Sequence, residues 1–136
     1  MIKITKNIEY ALMALKFMKG KSEGELTTAR EICDKFEIPF DPMAKVMQKL
    51  GQHNILTSIQ GVKGGYQLKK NLSEVSFMAL SKMIEGDKEA HDCFTAGHVD
   101  CQRSGLCNIK RPMKELHNKM TDFLERVKLS ELLGGE

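Results

Sequence analysis

The sequence predicts a mainly α chain with one small β-hairpin, an α+β protein. Two observations carry this reading: apolar residues recur at helical spacing through most of the chain, and a single pair of β-rich runs flanks a glycine-rich turn. At 136 residues with 41% hydrophobic side chains, the chain suits one compact domain with a sizeable core.

The first amphipathic segment runs from Thr5 to Lys19, with Ile8, Leu12, Leu15 and Met18 on one stripe and Gly20 at its end. A second helix starts at Thr28, whose hydroxyl caps it while Glu31 reaches back, and Ala29, Ile32, Cys33 and Phe36 form its apolar face. Cys33 belongs to that stripe and is expected to pack as a small buried hydrophobe. After the short link Glu37-Ile38-Pro39-Phe40, Asp41 reads as the cap of a third helix with Pro42 at its first position. Met43, Val46, Met47 and Leu50 make its core face. Ala44, Lys45, Gln48, Lys49 and Gln52 are left on the other side, which carries no acid.

Two β-rich runs follow, Ile55 to Ile59 and Tyr66 to Leu68, joined by Gln60-Gly61-Val62-Lys63-Gly64-Gly65. Ser76 can cap a short helix carrying Phe77, Leu80 and Ile84, closed by Gly86. The stretch from Asp87 to Arg111 has little periodicity, a length that in a compact protein signals function or disorder. Beyond Pro112, Met113, Leu116, Met120, Phe123 and Val127 repeat at three- and four-residue steps, the pattern of a long helix with a seam for a second copy of the chain. The organisation expected is residues 1–86 as one folded region, 87–111 as a loop, and 112–136 as a dimerisation helix and tail.

The net charge of +3 is too modest to indicate a partner, but its placement does. Between Asp41 and Lys70 stand Lys45, Lys49, Lys63, Lys69 and Lys70 against one acid, the local footprint that phosphate contact requires. Two helices joined by a tight turn, the second presenting lysine and glutamine outward, followed by a hairpin with a lysine at its tip, match a winged helix-turn-helix that reads double-stranded DNA. The expected contact set is Thr28 and Asp41 at the helix starts, Lys45, Gln48 and Lys49 on the outer face, and Gln60, Lys63 and Gly64 in the wing. A two-fold DNA site calls for a homodimer.

Cys93, Cys101 and Cys107 lie within the 87–111 stretch, together with Gly97, Gly105, Asp92, Asp100 and His98. No basic cluster followed by an apolar run opens the chain, so a cytoplasmic protein without a membrane association is expected. In a reducing compartment, clustered cysteines read as metal or redox ligands rather than as a disulfide frame. The C-x7-C-x5-C spacing suits zinc poorly, because zinc sites use closer pairs, whereas a glycine-bearing loop can wrap a larger cluster, which takes about four protein ligands. His98 is one candidate for the missing ligand.

The Thr5-Lys6-x-x-x-Tyr10-Ala11-Leu12 run, Gly64-Gly65-Tyr66-x-Leu68, the spaced cysteines and the late Leu129-Ser130-Glu131-Leu132 together resemble the Rrf2 family of bacterial winged-helix regulators, and specifically its iron–sulfur branch. The resemblance implies a transcriptional regulator, most often a repressor, controlled by an iron–sulfur cluster, [2Fe-2S] or [4Fe-4S], that responds to iron, redox state or nitric oxide. In IscR-like members a histidine three residues after the last cysteine is a ligand, a position held here by Lys110. In NsrR-like members an acidic residue early in the partner protomer's first helix takes that place, and the matching position is Glu9. Where IscR-like chains carry a wing arginine and a recognition-helix glutamate, this one has Gln60 and Ala44, which implies a different operator.

Three other readings stand beside this one. The cysteines could form disulfides on oxidation in a cluster-free thiol sensor. A cysteine nucleophile with His98 as base would make a small enzyme, but no nucleophile turn or phosphate loop accompanies it. The basic helix could instead bind an acidic protein.

Overall fold

The computed structural model describes residues 3–86 and 105–134. Helix α1, Lys6–Lys19, begins where Thr5 Oγ1 accepts from the Ile8 amide at 3.3 Å, a contact that typically stabilises a helix by about 1 kcal/mol. It buries Ile8, Ala11, Ala14, Leu15 and Met18, while Leu12 is only half-covered. The two alanines let the α1 backbone approach its neighbours closely, and helices α3 and α4 pack on this side.

Helix α2, Ala29–Phe36, is capped as its sequence predicts, with Thr28 Oγ1 accepting from the Glu31 amide at 3.0 Å. The reciprocal half of the expected cap differs: the Glu31 carboxylate pairs with Lys21 Nζ at 2.7 Å. Glu37 ends α2 in the left-handed region at φ 55, and buried Ile38 anchors the turn.

Helix α3, Phe40–Gln52, starts earlier than an Asp41 cap would allow. Extended Pro39 (ψ 136) is the flanking residue, so Asp41 and Pro42 both fall in the first turn. Amides there have no partner within the helix, so proline is tolerated, and a carboxylate is favoured by the helix dipole. The predicted face Met43, Val46, Met47 and Leu50 is fully buried.

Strands β1, Leu56–Ile59, and β2, Gly65–Leu68, pair antiparallel with Leu56 opposite Leu68 and Ile59 opposite Gly65. A bridge the sequence pattern does not announce adds Thr27 to this ribbon: its amide donates to Tyr66 O at 2.8 Å and its carbonyl accepts from the Tyr66 amide at 2.7 Å. The wing is therefore hydrogen-bonded to the residue just before α2.

Helix α4, Phe77–Glu85, is capped by Ser76, whose Oγ accepts from Ala79 N at 3.1 Å, and it closes at Gly86 with φ 74. Helix α5, Lys110–Arg126, packs on α4, and Pro112 lies inside its first turn rather than before it. The apolar seam expected along this helix divides. Met113, Met120 and Leu124 are half-covered, whereas Leu116 and Phe123 remain 46% and 65% exposed.

After α5 the chain returns to the first helices. The Phe77 amide donates to Val127 O at 2.8 Å and the Leu129 amide to Val75 O at 2.9 Å, so residues 127–129 run beside 75–77. Helix α6, Leu129–Leu133, then inserts Leu129 and Leu133 into the same core as Ile8, Ile32, Leu50 and Leu80.

Candidate nucleic-acid interface and cysteine ligands

With its inner face buried, α3 presents Asp41, Lys45, Gln48, Lys49 and Gln52 to solvent, along an open groove whose far wall is Asn7 of α1. This is the shape and polarity of a recognition helix: long side chains carrying amide and ammonium donors, on an element narrow enough for the major groove. Lys49 is the exception to their freedom, because its Nζ donates to Ile84 O at 2.6 Å. The contact places a cation at the C-terminal end of α4, where the helix dipole favours it. Thr5 Oγ1 donates to the Glu85 carboxylate, so α1 and α3 both hold the last turn of α4.

In the wing, Lys63 is exposed and Val62 fully so, and Gln60 Nε2 donates to Ser58 Oγ at 3.3 Å. Glycine at 64 is required sterically, because a Cβ there would stand 2.4 Å from Ile59 O and 2.9 Å from Gly61 O. Gly61 has φ +123, a conformation costly to any side chain. Thr28 accepts from the Glu31 amide at 3.0 Å as the α2 cap, which leaves its O–H able to donate. The expected contact residues on α3 and in the wing are thus all on the surface, while Thr28 and Lys49 also have structural duties.

Of the cysteines expected to be ligands, Cys107 is half-buried and lies two residues before Ile109, which flanks the N-terminus of α5. Cys93, Cys101 and His98 lie outside the described residues. Glu9 is in the first turn of α1 with its side chain 47% exposed, paired to Lys6 Nζ at 3.2 Å. Such an exchangeable surface pair leaves the carboxylate available to another group. Among the described residues no three potential ligands gather at one point. Cys33 stands apart: it is buried in α2, its Sγ faces Pro39 O at 3.8 Å, and burial pushes its thiol pKa up.

Residues 4–135 match the family of iron-dependent transcriptional regulators called Rrf2. The chain belongs to the Rrf2 family. Among curated relatives of this Rrf2 chain, the regulator NsrR of Oceanobacillus iheyensis is 29% identical over 98% of this chain and 90% of its own length. The regulator IscR of Pectobacterium atrosepticum is 23% identical over 99% of this chain and 81% of its own. The fold is shared with solved structures: CymR of Staphylococcus aureus in its oxidized form superposes with a TM-score of 0.76 at 18% identity, covering 99% of this chain and 98% of that one. The IscR of T. potens gives 0.67 at 15% identity, over 98% and 87%. The Rrf2 chain is a transcription regulator and not an enzyme. No helix among the described residues is long and apolar enough to cross a membrane.

Sequence reasoning missed three features. Thr27 is an isolated bridge too short to show a strand period, and α6 is only five residues long. The third is Arg30, whose guanidinium lies 4.4 Å from the centroid of the Phe40 ring, a contact between two helices that spacing along one helix does not reveal.

Proposed function

We propose that this Rrf2 chain is a homodimeric, cytoplasmic DNA-binding repressor whose grip on a two-fold operator is set by an iron–sulfur cluster. Lys45, Gln48 and Lys49 of α3 enter the major groove, Gln48 suiting the paired acceptor and donor of adenine, with Asp41 and Thr28 at the helix starts. Gln60, Lys63 and Gly64 carry the wing to the neighbouring backbone or minor groove.

Cys93, Cys101 and Cys107 would hold the cluster, with Glu9 of the partner protomer as fourth ligand and His98 as the other candidate. The donor chemistry fits: thiolates suit iron–sulfur centres, and one harder oxygen ligand suits a centre that must be lost or attacked. When bound, the cluster supplies a centre that responds to iron supply, redox state or nitric oxide. The observation that carries the reading is the position of Cys107 at the head of α5, the helix whose outward Leu116 and Phe123 offer a seam to a second copy. A ligand at this point can bias the spacing of two recognition helices only by differing in affinity for two dimer states.

The test is anaerobic purification with visible absorption and iron and sulfide assays, followed by band shifts with loaded and stripped protein. Absorption lost in Cys107→Ser and destabilised in Glu9→Ala, but kept in His98→Ala, is expected. Equal DNA affinity of the loaded and stripped forms under all conditions would remove the regulatory role. A colourless, iron-free product after reconstitution would favour the cluster-free thiol sensor, a reading supported by the partial exposure of Cys107.

A further inference from the structure

Phe40 is the first residue of α3 and is 39% exposed, although its neighbours Ile38 and Met43 are buried. An aromatic ring left at the surface beside a recognition helix calls for an explanation, and the ring has one neighbour of opposite character. The Arg30 guanidinium from α2 lies over it at 4.4 Å from the centroid. Asp34 stands four residues on, at the spacing of a helical ion pair, yet no salt bridge forms between the two, and Arg30 has no carboxylate partner among the described residues. The Lys21 ammonium is committed differently, to Glu31, the residue after Arg30, at 2.7 Å.

We propose that Arg30, held by Phe40, is a DNA phosphate contact, and that Phe40 is its positioning residue. The assignment rests on the DNA-binding reading above. A guanidinium stacked on an aromatic face keeps its edge, with its N–H fork, directed away from the ring. That fork matches two phosphate oxygens, and the side chain arrives already ordered, so little of its rotamer freedom is lost on binding. Position agrees with chemistry. Arg30 is in the first turn of α2, the helix that crosses the backbone in a helix-turn-helix while α3 reads bases. The ring that holds it belongs to α3, so the depth of one helix in the groove and the phosphate clamp of the other are linked through a single contact.

Phosphate contacts are independent of sequence, so a mixed-sequence DNA duplex serves as the probe. Its affinity for full-length Arg30→Ala, Arg30→Lys, Phe40→Leu and the Arg30→Ala/Phe40→Leu double variant is measured by anisotropy across a salt series. Arg30→Ala is expected to flatten the plot of log affinity against log salt by about 0.9 for each protomer bound. Arg30→Lys should keep the slope and bind more weakly. Phe40→Leu should also keep the slope and weaken binding, and the double variant should bind no worse than Arg30→Ala alone. Additive losses in the cycle, or Arg30→Ala with the parent affinity and slope, overturn the assignment while the parent still binds. A parent that fails to bind the duplex at low salt overturns the DNA-binding reading and this one with it. Thermal melts of each variant separate a loss of fold from a loss of contact.

Discussion

The ammonium of Lys49 donates to the carbonyl of Ile84 at 2.6 Å, joining the exposed side of the recognition helix to the last turn of α4. In the proposed complex this side chain would have two competing acceptors, a backbone oxygen of its own protein and a phosphate of DNA. Lys49→Ala is expected to lower stability by about 1 kcal/mol and to flatten the salt dependence of DNA binding by about 0.9 per protomer. Thermal denaturation and a salt titration read the two effects separately. A lower melting temperature with an unchanged slope would make Lys49 a tether alone.

The outward side chains of α5 give a second prediction. Leu116 and Phe123 are seven residues apart, one heptad, and 46% and 65% exposed. Neither contributes to the monomer core, so the double variant Leu116→Glu/Phe123→Glu should keep the helical circular dichroism of the parent. Placed in a seam between copies, two unpaired carboxylates should convert a dimer to monomers in sedimentation velocity. Persistence of the dimer would move the interface elsewhere.

The wing supplies a third. Because a Cβ at position 64 would stand 2.4 Å from Ile59 O, Gly64→Ala must shift backbone rather than a flexible side chain. A cost of roughly 1–3 kcal/mol is expected in denaturant unfolding, with weaker DNA binding and unchanged helical content. An unaffected variant would show that the turn can relax at no cost.

Cys33 and Cys107 should differ in reactivity. Burial first, with a smaller contribution from Asp34, raises the Cys33 pKa above 9.0, against a lowering effect from Arg30. At neutral pH the folded, cluster-free protein should therefore alkylate at Cys107 and not at Cys33. Since the folded pKa is the higher one, the stability contribution of the Cys33 proton is complete below the unfolded value of 9.0 and is lost as pH rises through the folded value. Cys33→Ala should thus lose stability less steeply in alkaline solution than the parent, as followed by chemical denaturation. Parallel pH profiles would contradict this.

Much of the fold was legible because the signals are local. Thr28 and Ser76 each cap the helix as the sequence predicts, and the Met43, Val46, Met47 and Leu50 stripe is buried as its period requires. What was not legible depends on partners distant in the chain. Glu31 leaves its cap for Lys21, Thr27 finds Tyr66, and Leu129 finds Val75, and none of these pairs has a periodic trace. The site divides the same way. Lys45 and Gln48 are exposed as amphipathic spacing predicts and Lys63 as its place in the hairpin turn predicts, but the engagement of Lys49 with Ile84 and of Arg30 with Phe40 is set by how helices cross. Of the candidate ligands, Glu9 lies on the solvent side of α1 and Cys107 before α5, while Cys93, Cys101 and His98 remain positions of the sequence alone.

The return of residues 127–133 to the first helices has a consequence for biosynthesis. A ribosome that has delivered only the recognition helix and wing has released a head whose Val75 carbonyl and Phe77 amide have no strand beside them and whose core still lacks Leu129 and Leu133. Burying a leucine stabilises by roughly 1.5–3 kcal/mol, a large share of what a small domain has to spare. The nascent protein therefore acquires a stable DNA-reading head only once residues 127–133 have left the ribosome, so products truncated before them are released without a complete core.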